Sequence, residues 1–359
     1  MTVNSEASLR QAFHDLRVAA VEPLTDDSVA VTFDVPEDLA AVFSFHAGQS
    51  LTLRRIVDGV EERRTYSICA PTGSRPRIGV REIPEGLFSS WLVRDVGAGA
   101  TLEVAPPSGS FSIRKDTSGR HLCIAAGSGI TPMLAIAATV LRDPDAEVTL
   151  LYGNRTTSSV MFAEELADLK NAYAQRFNLI HVLSREPRDV DLFSGRLDAE
   201  RFRALFTQLI PLSTVDHVWI CGPLGMLTDA RNVLAEFGFP ASQIHFELFY
   251  VDEPPPSIHR TDSSGNDLTS ELTVILNGRS TTITANSDEN VLEAVQRVRP
   301  DVPFACKGGI CGTCRAVVRS GTVEMARNYA LEADELASHM VLTCQSHCTS
   351  PEVTVDFDV

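Results

Sequence analysis

The sequence predicts three folded modules in one chain: a small antiparallel β-barrel, an α/β domain with a parallel sheet, and a mixed α+β domain. Three observations lead to this prediction. The chain has 359 residues, which exceeds the usual size of one domain. The hydrophobic pattern changes along it, and a proline-rich break separates the last part. We expect a barrel over residues 8–114, an α/β domain over 115–250, a linker over 251–270 and a final domain over 271–359.

The first module is predicted from short β-rich segments that are separated by turns containing glycine and proline. Strands of this length with turns between them are typical of a small antiparallel barrel. The predicted strands are Ser28–Val35, Gln49–Arg54, Arg64–Cys69, Arg77–Arg81 and Leu102–Val104.

The second module is predicted from strands that alternate with helices. Such alternation indicates a parallel sheet with helices on both of its faces. The predicted strands are Leu122–Ala126, Glu147–Tyr152, Leu179–Ser184, His217–Cys221 and Ile244–Phe249. The predicted helices are Pro132–Leu141, Ala163–Ala174 and Leu224–Phe237.

The region after the second module is rich in proline and polar residues. Asp252–Pro256 and the polar stretch Thr261–Asp267 cannot easily pack, so they predict a partly extended linker. A compact mixed region begins at Glu271, and its Asn277-Gly278 pair predicts a β-hairpin.

Charge and composition exclude several classes of protein. The net charge is −16, whereas nucleic-acid-binding proteins usually carry a basic face, so we do not expect a nucleic-acid partner. Met1–Leu16 lacks the apolar segment of a secretory signal. The longest apolar run, Met133–Leu141, is much shorter than the ~20 residues that a membrane-spanning helix needs. We therefore expect a cytoplasmic protein that does not bind membranes.

Four of the eight cysteines follow a metal-binding pattern. Cys306-x4-Cys311-x2-Cys314 is followed by Cys344 after a long gap, which is the spacing of plant-type [2Fe–2S] clusters. Glycines in the loop let main-chain N–H groups approach the sulfurs. A structural zinc site is the alternative, but zinc ribbons usually have two C-x2-C pairs and this pattern has one.

The other four cysteines are Cys69, Cys123, Cys221 and Cys348. We do not expect disulfides among them, because disulfides are rare in cytosolic proteins. Cys348 follows Cys344 by four residues, and we expect it to be a bystander thiol since four ligands already complete the cluster.

Two segments of the first module could bind a flavin. Arg64-Thr65-Tyr66-Ser67 offers a cation for a pyrophosphate, an aromatic surface and a hydroxyl near the reactive N5 atom. Gly86-Leu87-Phe88-Ser89 offers main-chain N–H groups at a predicted helix start, where phosphate can bind. Each segment also has a plainer interpretation: a buried strand with a hydrogen-bonded tyrosine, and a helix capped by serine.

A glycine-containing turn in the second module could bind a dinucleotide. Ala126-Gly127-Ser128-Gly129-Ile130-Thr131-Pro132 connects a predicted strand to a predicted helix. Its glycines permit a pyrophosphate to approach the helix N-terminus, and Pro132 suits the first helical position. The segment lacks the G-x-G-x-x-G pattern of ordinary dinucleotide-binding folds, so a plain strand–helix turn is the alternative.

Three arginines, Arg155, Arg185 and Arg196, follow predicted strands of the second module. Ligands of such sheets bind at the carboxyl ends of strands, and arginine suits a 2′-phosphate through bidentate contacts. In an acidic chain they predict NADPH rather than NADH, although each alone could be a solvated side chain. Cys221, at the end of another strand, lies where a nicotinamide ring could rest, or it is simply a buried small residue.

Together these residues resemble the ferredoxin–NADP reductase superfamily over nearly the whole chain. The order, a reductase followed by a ferredoxin, resembles the reductases of multicomponent oxygenases. The segments that carry the resemblance are Ala125–Leu134, Leu151–Thr156, Ala305–Gly309 and Val353–Asp358. The resemblance implies a flavin-binding barrel, an NADP-binding α/β domain and a β-grasp-like [2Fe–2S] ferredoxin domain.

The resemblance also implies a role for each candidate residue. It places Ser67, Cys221 and Glu247 at the hydride-transfer site and the 2′-phosphate at Arg155, Ser184, Arg185 and Arg196. Phe249 stands where plant-type members end in a tyrosine, so shielding of the flavin by this ring is left open. The implied cofactor-binding residues are Arg64, Tyr66, Ser67, Arg81, Gly86, Leu87, Phe88, Ser89, Gly127, Ser128, Gly129, Thr131, Arg155, Ser184, Arg185, Arg196, Cys221, Gly222, Pro223, Met226 and Phe249.

The implied function is electron transfer from NADPH through FAD to the [2Fe–2S] cluster. The cluster would then supply the oxygenase component of a multicomponent monooxygenase, for which a diiron enzyme is favoured. A reductase of a Rieske-type aromatic-ring or steroid hydroxylase shares every motif and is the first alternative. A redox-sensing iron–sulfur protein without turnover is the second, and the paired flavin and nucleotide motifs argue against it.

Overall fold

The computed structural model describes residues 13–84, 86–113, 118–250, 269–331 and 333–358. The chain divides into two compact units, Met1–Tyr250 and Val251–Val359. The predicted linker, residues 251–270, lies outside the described residues except for its last two positions. The predicted boundary at residues 114 and 115 also lies outside them. The domain boundaries therefore stay predictions.

The first sheet has six antiparallel strands in the order β4–β3–β6–β1–β2–β5. An isolated bridge between Ile68, directly after β4, and Ile78 in β5 joins the two edge strands and closes the predicted barrel. The strands are β1 (His14–Thr25), β2 (Ser28–Asp34), β3 (Ser50–Val57), β4 (Val60–Ser67), β5 (Arg77–Arg81) and β6 (Thr101–Val104), and a short helix, α1 (Ser89–Arg94), follows β5.

The longest barrel strand, β1, was absent from the sequence prediction. Its pairing with β2 is irregular between Val18 and Ala20 and again between Pro23 and Thr25. Such bulges break the two-residue alternation by which a strand is recognised, and Pro23 has no N–H for the ladder. The local pattern therefore does not reveal this strand, which is defined by its ladders with the neighbouring β2 and the distant β6.

The second sheet has five parallel strands in the order β11–β10–β7–β8–β9. Helices α2 and α3 join the hydrophobic core on one face, and α4 and α5 join the core on the other, as predicted. The strands are β7 (Gly119–Ala126), β8 (Ala146–Asn154), β9 (Phe177–Leu183), β10 (His217–Pro223) and β11 (Ile244–Tyr250). The helices are α2 (Ile130–Val140), α3 (Ala163–Ala172), α4 (Ala199–Gln208) and α5 (Leu224–Glu236).

Two helices of this region differ from the sequence prediction. Helix α2 begins at Ile130, so Pro132 is its third residue and not its first. Proline is tolerated there because the N–H groups of the first turn have no partner within the helix. Helix α4 was not predicted, although Asp198 caps it by accepting a hydrogen bond from Arg201 N at 3.0 Å.

The second unit contains a five-stranded mixed sheet, β13–β12–β18–β14–β16, and a two-stranded sheet, β15–β17. Asn277 and Gly278 connect β12 to β13 with φ values of 56° and 68°, which is the predicted hairpin turn. The strands are β12 (Ser270–Leu276), β13 (Arg279–Ala285), β14 (Arg315–Ser320), β15 (Val323–Met325), β16 (Met340–Leu342), β17 (Ser346–Cys348) and β18 (Glu352–Asp356), and the helices are α6 (Val291–Gln296) and α7 (Ala333–Ala337). Across the described parts of both units, no helix has the length and apolar character needed to span a membrane.

Candidate functional site

The three predicted hydride-transfer residues come together in the first unit. Ser67 ends barrel strand β4, and Cys221 lies opposite Glu247 in the parallel pairing of β10 with β11. The Ser67 hydroxyl donates a hydrogen bond to Glu247 Oε2 at 3.0 Å, between residues 180 positions apart in the chain. The barrel and the parallel sheet thus meet at a hydroxyl, a carboxyl group and a thiol.

Burial dominates the electrostatics of this group. It raises the pKa of Glu247 to about 7, while the hydrogen bond from Ser67 acts in the lowering direction. Burial also raises the pKa of the Cys221 thiol well above its usual range, and the neighbouring Glu247 adds to this shift. Cys221 is therefore a neutral thiol near neutral pH, whereas Glu247 changes its protonation state there.

Strand β4 also carries the other predicted flavin residues. The Arg64 guanidinium donates hydrogen bonds to Glu62 Oε2 at 2.9 Å and to the Arg63 carbonyl at 2.7 Å. The centre of the Tyr66 ring lies 6.3 Å from that of Phe88, and burial raises the pKa of the Tyr66 hydroxyl. Arg64 and Tyr66 share one face of the strand because side chains alternate along it.

The Gly86–Ser89 segment divides its side chains between the fold and the surface. The Phe88 side chain is buried in the barrel core, and the Ser89 hydroxyl accepts a hydrogen bond from Ile83 N at 3.0 Å. The Leu87 side chain, by contrast, is 62% exposed. This leaves the Leu87 side chain exposed, whereas Gly86 N already donates to the Ile83 carbonyl at 2.8 Å.

The predicted dinucleotide turn, Gly127–Gly129, is one 3-10 turn between β7 and α2. Gly127 has a left-handed φ of 54°, and Tyr152 Oη donates a hydrogen bond to its carbonyl at 3.0 Å. A Cβ atom at Gly129 would lie 2.2 Å from the Cys221 carbonyl oxygen. Gly129 is therefore required for the approach of β10, a role that the sequence did not indicate.

Two further predicted residues lie at this turn. Arg81, at the end of β5, donates from Nη2 to the Ser159 carbonyl at 2.6 Å. Its Nη1 lies 3.2 Å from the position that a Cβ atom would take at Gly127, so a barrel arginine reaches the turn. The buried Thr131 hydroxyl donates to the Ser128 carbonyl at 3.0 Å and so holds the turn itself.

The predicted phosphate-binding arginines lie at the carboxyl ends of β8 and β9. Arg185 N donates to the Arg155 carbonyl at 2.8 Å, and Arg196 follows Ser194, which bridges to Leu183. All three arginine side chains are exposed, and within the described residues none has a carboxylate at ion-pair distance. Ser184 is half-buried between them, and its main-chain N donates to the Asn154 carbonyl at 2.9 Å.

Arg188 belongs to the same region and was missed by the sequence analysis. Its main-chain N donates to the Ser194 hydroxyl at 3.1 Å, and its side chain is exposed. Its spacing of three residues from Arg185 in one loop was the available signal. We call the surface formed by Arg155, Arg185, Arg188 and Arg196 the arginine edge.

The residues after Cys221 combine packing with possible ligand contact. The Met226 methyl group lies 2.7 Å from the position of a Cβ atom at Gly222, so the small residue permits Met226 to fold back over the Gly222-Pro223 turn. Phe249 is partly buried against the core that contains Cys221, at an irregularity in the pairing of β11 with β10. The strand continues past Phe249 to Tyr250.

The four predicted ligand cysteines of the second unit form two thiol pairs. The Cys306 and Cys311 thiols are neighbours, and so are the Cys314 and Cys344 thiols. Gly308 N and Cys311 N also donate to Cys306 Sγ, at 3.3 and 3.4 Å. The Cys311 thiol and these main-chain donors lower the pKa of Cys306, against the raising effect of burial.

This donor set fits a [2Fe–2S] cluster. Among the residues described, no group of three or more His, Cys, Asp or Glu side chains is gathered around one possible metal position. A two-iron cluster takes four thiolates, which allows two on each iron, and two separate pairs meet that requirement. Cys306 and Cys311 would hold one iron and Cys314 and Cys344 the other, while Cys348 lies on β17 opposite Val323.

The remaining cysteines have structural roles. Burial raises the pKa of both Cys69 and Cys123 to about 12, so these thiols stay protonated. All eight cysteines lie within the described residues, and all eight are free thiols in the structure.

Comparison with known proteins identifies the family. Residues 123–232 match the model of the oxidoreductase NAD-binding domain, and residues 274–349 match that of the 2Fe-2S iron-sulfur cluster binding domain. The chain is 44% identical to one subunit of the 1,2-phenylacetyl-CoA epoxidase of Escherichia coli (strain K12), over 96% of this chain and 98% of that protein. The chain belongs to the ferredoxin–NADP reductase superfamily.

Other members of this superfamily are also similar over nearly the full length. The ferredoxin reductase component of 3-ketosteroid-9-alpha-monooxygenase from Mycobacterium tuberculosis (strain CDC 1551 / Oshkosh) is 31% identical over 96% of both chains. The solved structure of phthalate dioxygenase reductase shares the fold, with a TM-score of 0.61 and 24% identity over 96% of this chain and 98% of that one. The predicted fold class, oxidoreductase class and cofactors are confirmed: a nicotinamide nucleotide, FAD and a [2Fe–2S] cluster.

Proposed function

We propose that this chain is the reductase component of a multicomponent monooxygenase. It would take electrons from NADPH and deliver them, through FAD and a [2Fe–2S] cluster, to a diiron phenylacetyl-CoA epoxidase in the cytoplasm. The observation that carries the proposal is the pairing of two kinds of site in one chain. One site joins Ser67 to Glu247 beside Cys221, and the other holds two thiol pairs.

The flavin site suits the transfer of two electrons, and the cysteine site suits the transfer of one electron at a time. When bound, FAD accepts two electrons at once from the nicotinamide and releases them one at a time to an iron–sulfur cluster. The Ser67 hydroxyl would lie against the reactive edge of the flavin, and Glu247 would hold or release a proton close by. Its pKa of about 7 permits either state at neutral pH. Cys221, as a neutral thiol, would support the nicotinamide ring without acting as a nucleophile.

The remaining residues would bind the two nucleotides. We assign the flavin to Arg64, Tyr66 and the main chain of Gly86–Ser89, and the coenzyme pyrophosphate to Arg81 and the Gly127–Thr131 turn. Arg155, Arg185 and Arg196 of the arginine edge, together with Ser184, would bind the 2′-phosphate, because unpaired guanidinium groups can give charge-assisted hydrogen bonds to phosphate. Arg188 would lie near the phosphate without contacting it. Gly222, Pro223, Met226 and Phe249 would border the nicotinamide.

The partner is proposed from similarity. The 44% identity to the 1,2-phenylacetyl-CoA epoxidase protein exceeds the 31% identity to the steroid monooxygenase reductase over the same share of the chain. The steroid relative keeps a Rieske-type hydroxylase as the second candidate partner. Electrons would reach either partner by the same internal route.

A reconstituted assay tests the proposal. The purified holoprotein, NADPH and the purified oxygenase component of the epoxidase are combined with phenylacetyl-CoA, and epoxide formation is measured against NADPH consumed. Coupled product formation is the expected result. Coupling to a steroid hydroxylase component alone would favour the second candidate. NADPH oxidation without electron transfer to either would refute the proposed role.

A further inference from the structure

The turn that carries Cys344 also holds Cys314 in place. Thr343, fully buried, belongs to the 3-10 turn Thr343–Gln345 directly after β16. Its main-chain N and its hydroxyl both donate to the Cys314 carbonyl, at 3.1 and 2.9 Å. These two hydrogen bonds fix Cys344 relative to Cys314 within one thiol pair.

Gln345 connects the same turn to the other thiol pair. Its side chain is buried, and its Nε2 donates to the Lys307 carbonyl at 3.0 Å and to the Cys344 carbonyl at 2.9 Å. Because both partners are acceptors, the amide nitrogen and not the oxygen must face them. The Gln345 main-chain carbonyl in turn accepts from Ala326 N at 2.7 Å, which anchors the residue from behind.

The loop segment that Gln345 holds has an unfavourable backbone conformation. Lys307 has a φ of 53°, in the left-handed region that residues with a side chain rarely adopt. Gly309 has a φ of 76°, and a Cβ atom there would lie 3.0 Å from Gln345 Cγ. This conformation directs the N–H groups of Gly308 and Cys311 at Cys306 Sγ.

We propose that Gln345 is a positioning residue that sets the redox potential of the cluster. By holding the Lys307 carbonyl, it keeps the two N–H groups on either side of Gly309 aimed at the Cys306 sulfur. Hydrogen bonds to cluster sulfurs stabilise the reduced, more negative state and so raise the potential. The inference rests on the proposed function in one respect, namely that the chain carries the cluster.

The test is a near-isosteric substitution with a matched control. Gln345→Met keeps an unbranched side chain of similar size and removes both donors. Gln296→Met makes the same change in the same unit, at a half-buried residue of α6 with no side-chain hydrogen bond among the described residues. Potentials of the full-length holoproteins are measured by redox titration, with the EPR spectrum of the reduced cluster and the iron and sulfide content recorded in parallel.

We expect Gln345→Met to weaken the electron affinity of the cluster about threefold to tenfold, the upper value corresponding to about 59 mV for one electron. Its EPR spectrum should change, and Gln296→Met should keep both parental values. A parental potential and spectrum in loaded Gln345→Met would overturn the inference and leave Gln345 as a packing residue.

A second variant keeps the inference testable if Gln345→Met does not retain the cluster. Gln345→Asn keeps the amide on a side chain one methylene shorter, so it should fail to reach Lys307 and show the same lowered potential. A parental potential in Gln345→Asn would also overturn the inference. A parent protein that holds no iron and sulfide would refute the proposed function itself, and the role of Gln345 with it.

Discussion

At the arginine edge, the side chains proposed to bind ligand are exposed and have no carboxylate partner in the described structure. At the cysteine positions, the ligand groups are already paired with one another and receive main-chain hydrogen bonds. Elsewhere in the first unit, arginines form ion pairs, as Arg77 does with Glu165 at 2.9 Å. The two proposed sites are prepared in different ways: the cysteine site is assembled by the fold, whereas the proposed phosphate site is left open with unpaired charges.

The largest expected effect tests the assembled site. Replacing Cys344 by Ser removes one member of the Cys314–Cys344 pair, so the cluster should be lost. Cys348→Ser is the matched control and should retain two irons and two sulfides per chain, because Cys348 lies on β17 outside both pairs. Iron, sulfide and visible absorbance measure the outcome. Equal behaviour of the two variants would contradict the ligand assignment.

Changes at the arginine edge should alter the coenzyme specificity of the protein and leave its cofactor content unchanged. Arg185→Ala combined with Arg196→Ala should lower kcat/KM for NADPH by tens to hundreds of fold and leave kcat/KM for NADH nearly unchanged. A charge-assisted hydrogen bond to the phosphate contributes about 1.5–3 kcal/mol. NADH has no 2′-phosphate, so its binding does not depend on this hydrogen bond. Steady-state kinetics with both coenzymes measure the change.

The control for this prediction is Arg203→Ala. Arg203 is also an exposed arginine of the first unit, but it is paired with Glu236 at 2.7 Å and lies on α4. It should keep the parental coenzyme preference. If the double variant uses NADPH as well as the parent does, or if the parent prefers NADH, the arginine edge is not the phosphate site.

A third test concerns Glu247, where the two halves of the first unit meet. The folded pKa of about 7 lies above the ordinary value of 4.5, so unfolding releases a proton between about pH 4.5 and 7. The parent should therefore lose stability as the pH rises through this window, by at most about 3 kcal/mol, and no more above it. Glu247→Gln should lack this dependence.

Melting temperatures of the parent and Glu247→Gln holoproteins between about pH 5 and pH 8 measure the difference. The two curves should separate as the pH rises and run parallel above pH 7. Parallel curves over the whole range would mean that the carboxyl group is ionised in the folded protein at low pH, contrary to the effect of burial.

The smallest expected effect concerns Arg188. It lies at the arginine edge, but its loop also carries Glu186, whose carboxylate accepts hydrogen bonds from Thr157 N and Oγ1 at 2.7 Å. Arg188→Ala should raise KM for NADPH only a few fold, since an exposed charge near a phosphate contributes less than a direct contact. An effect as large as that of the double variant would place Arg188 in direct contact with the phosphate.

The sequence predicted best what depends on local spacing or on a topological rule. The ligand cysteines are recognisable because three of them share one short loop, and the Asn277-Gly278 turn because its φ values demand those residues. The positions of Arg155 and Arg185 after the ends of β8 and β9 follow from the alternation of strands and helices. Helix α4 could have been found from Asp198 and the spacing of Phe202, Leu205 and Phe206.

What the residue pattern could not predict depends on contacts between distant segments. Ser67 and Glu247 were connected only through the family resemblance, because nothing local to either residue reports a partner 180 positions away. The need for glycine at position 129 arises from the Cys221 carbonyl on another strand. Which cysteines are neighbours, and which groups Gln345 binds, are likewise determined only once the chain has folded.

The seam of the barrel, where β4 meets β5, determines how this protein would lose activity on warming. Strands β3 and β4 are paired from Ser50–Ser67 to Val57–Val60, whereas β4 meets β5 through the isolated Ile68–Ile78 bridge. Ser67 is the residue directly before that bridge. Opening of the seam would release the chain after Ser67 from β5 and so weaken the hydrogen bond from the Ser67 hydroxyl to Glu247, although Ser67 stays in its ladder with Ser50. On warming, hydride transfer should therefore be lost before secondary structure, so catalytic half-life rather than melting temperature would define the working limit of the protein.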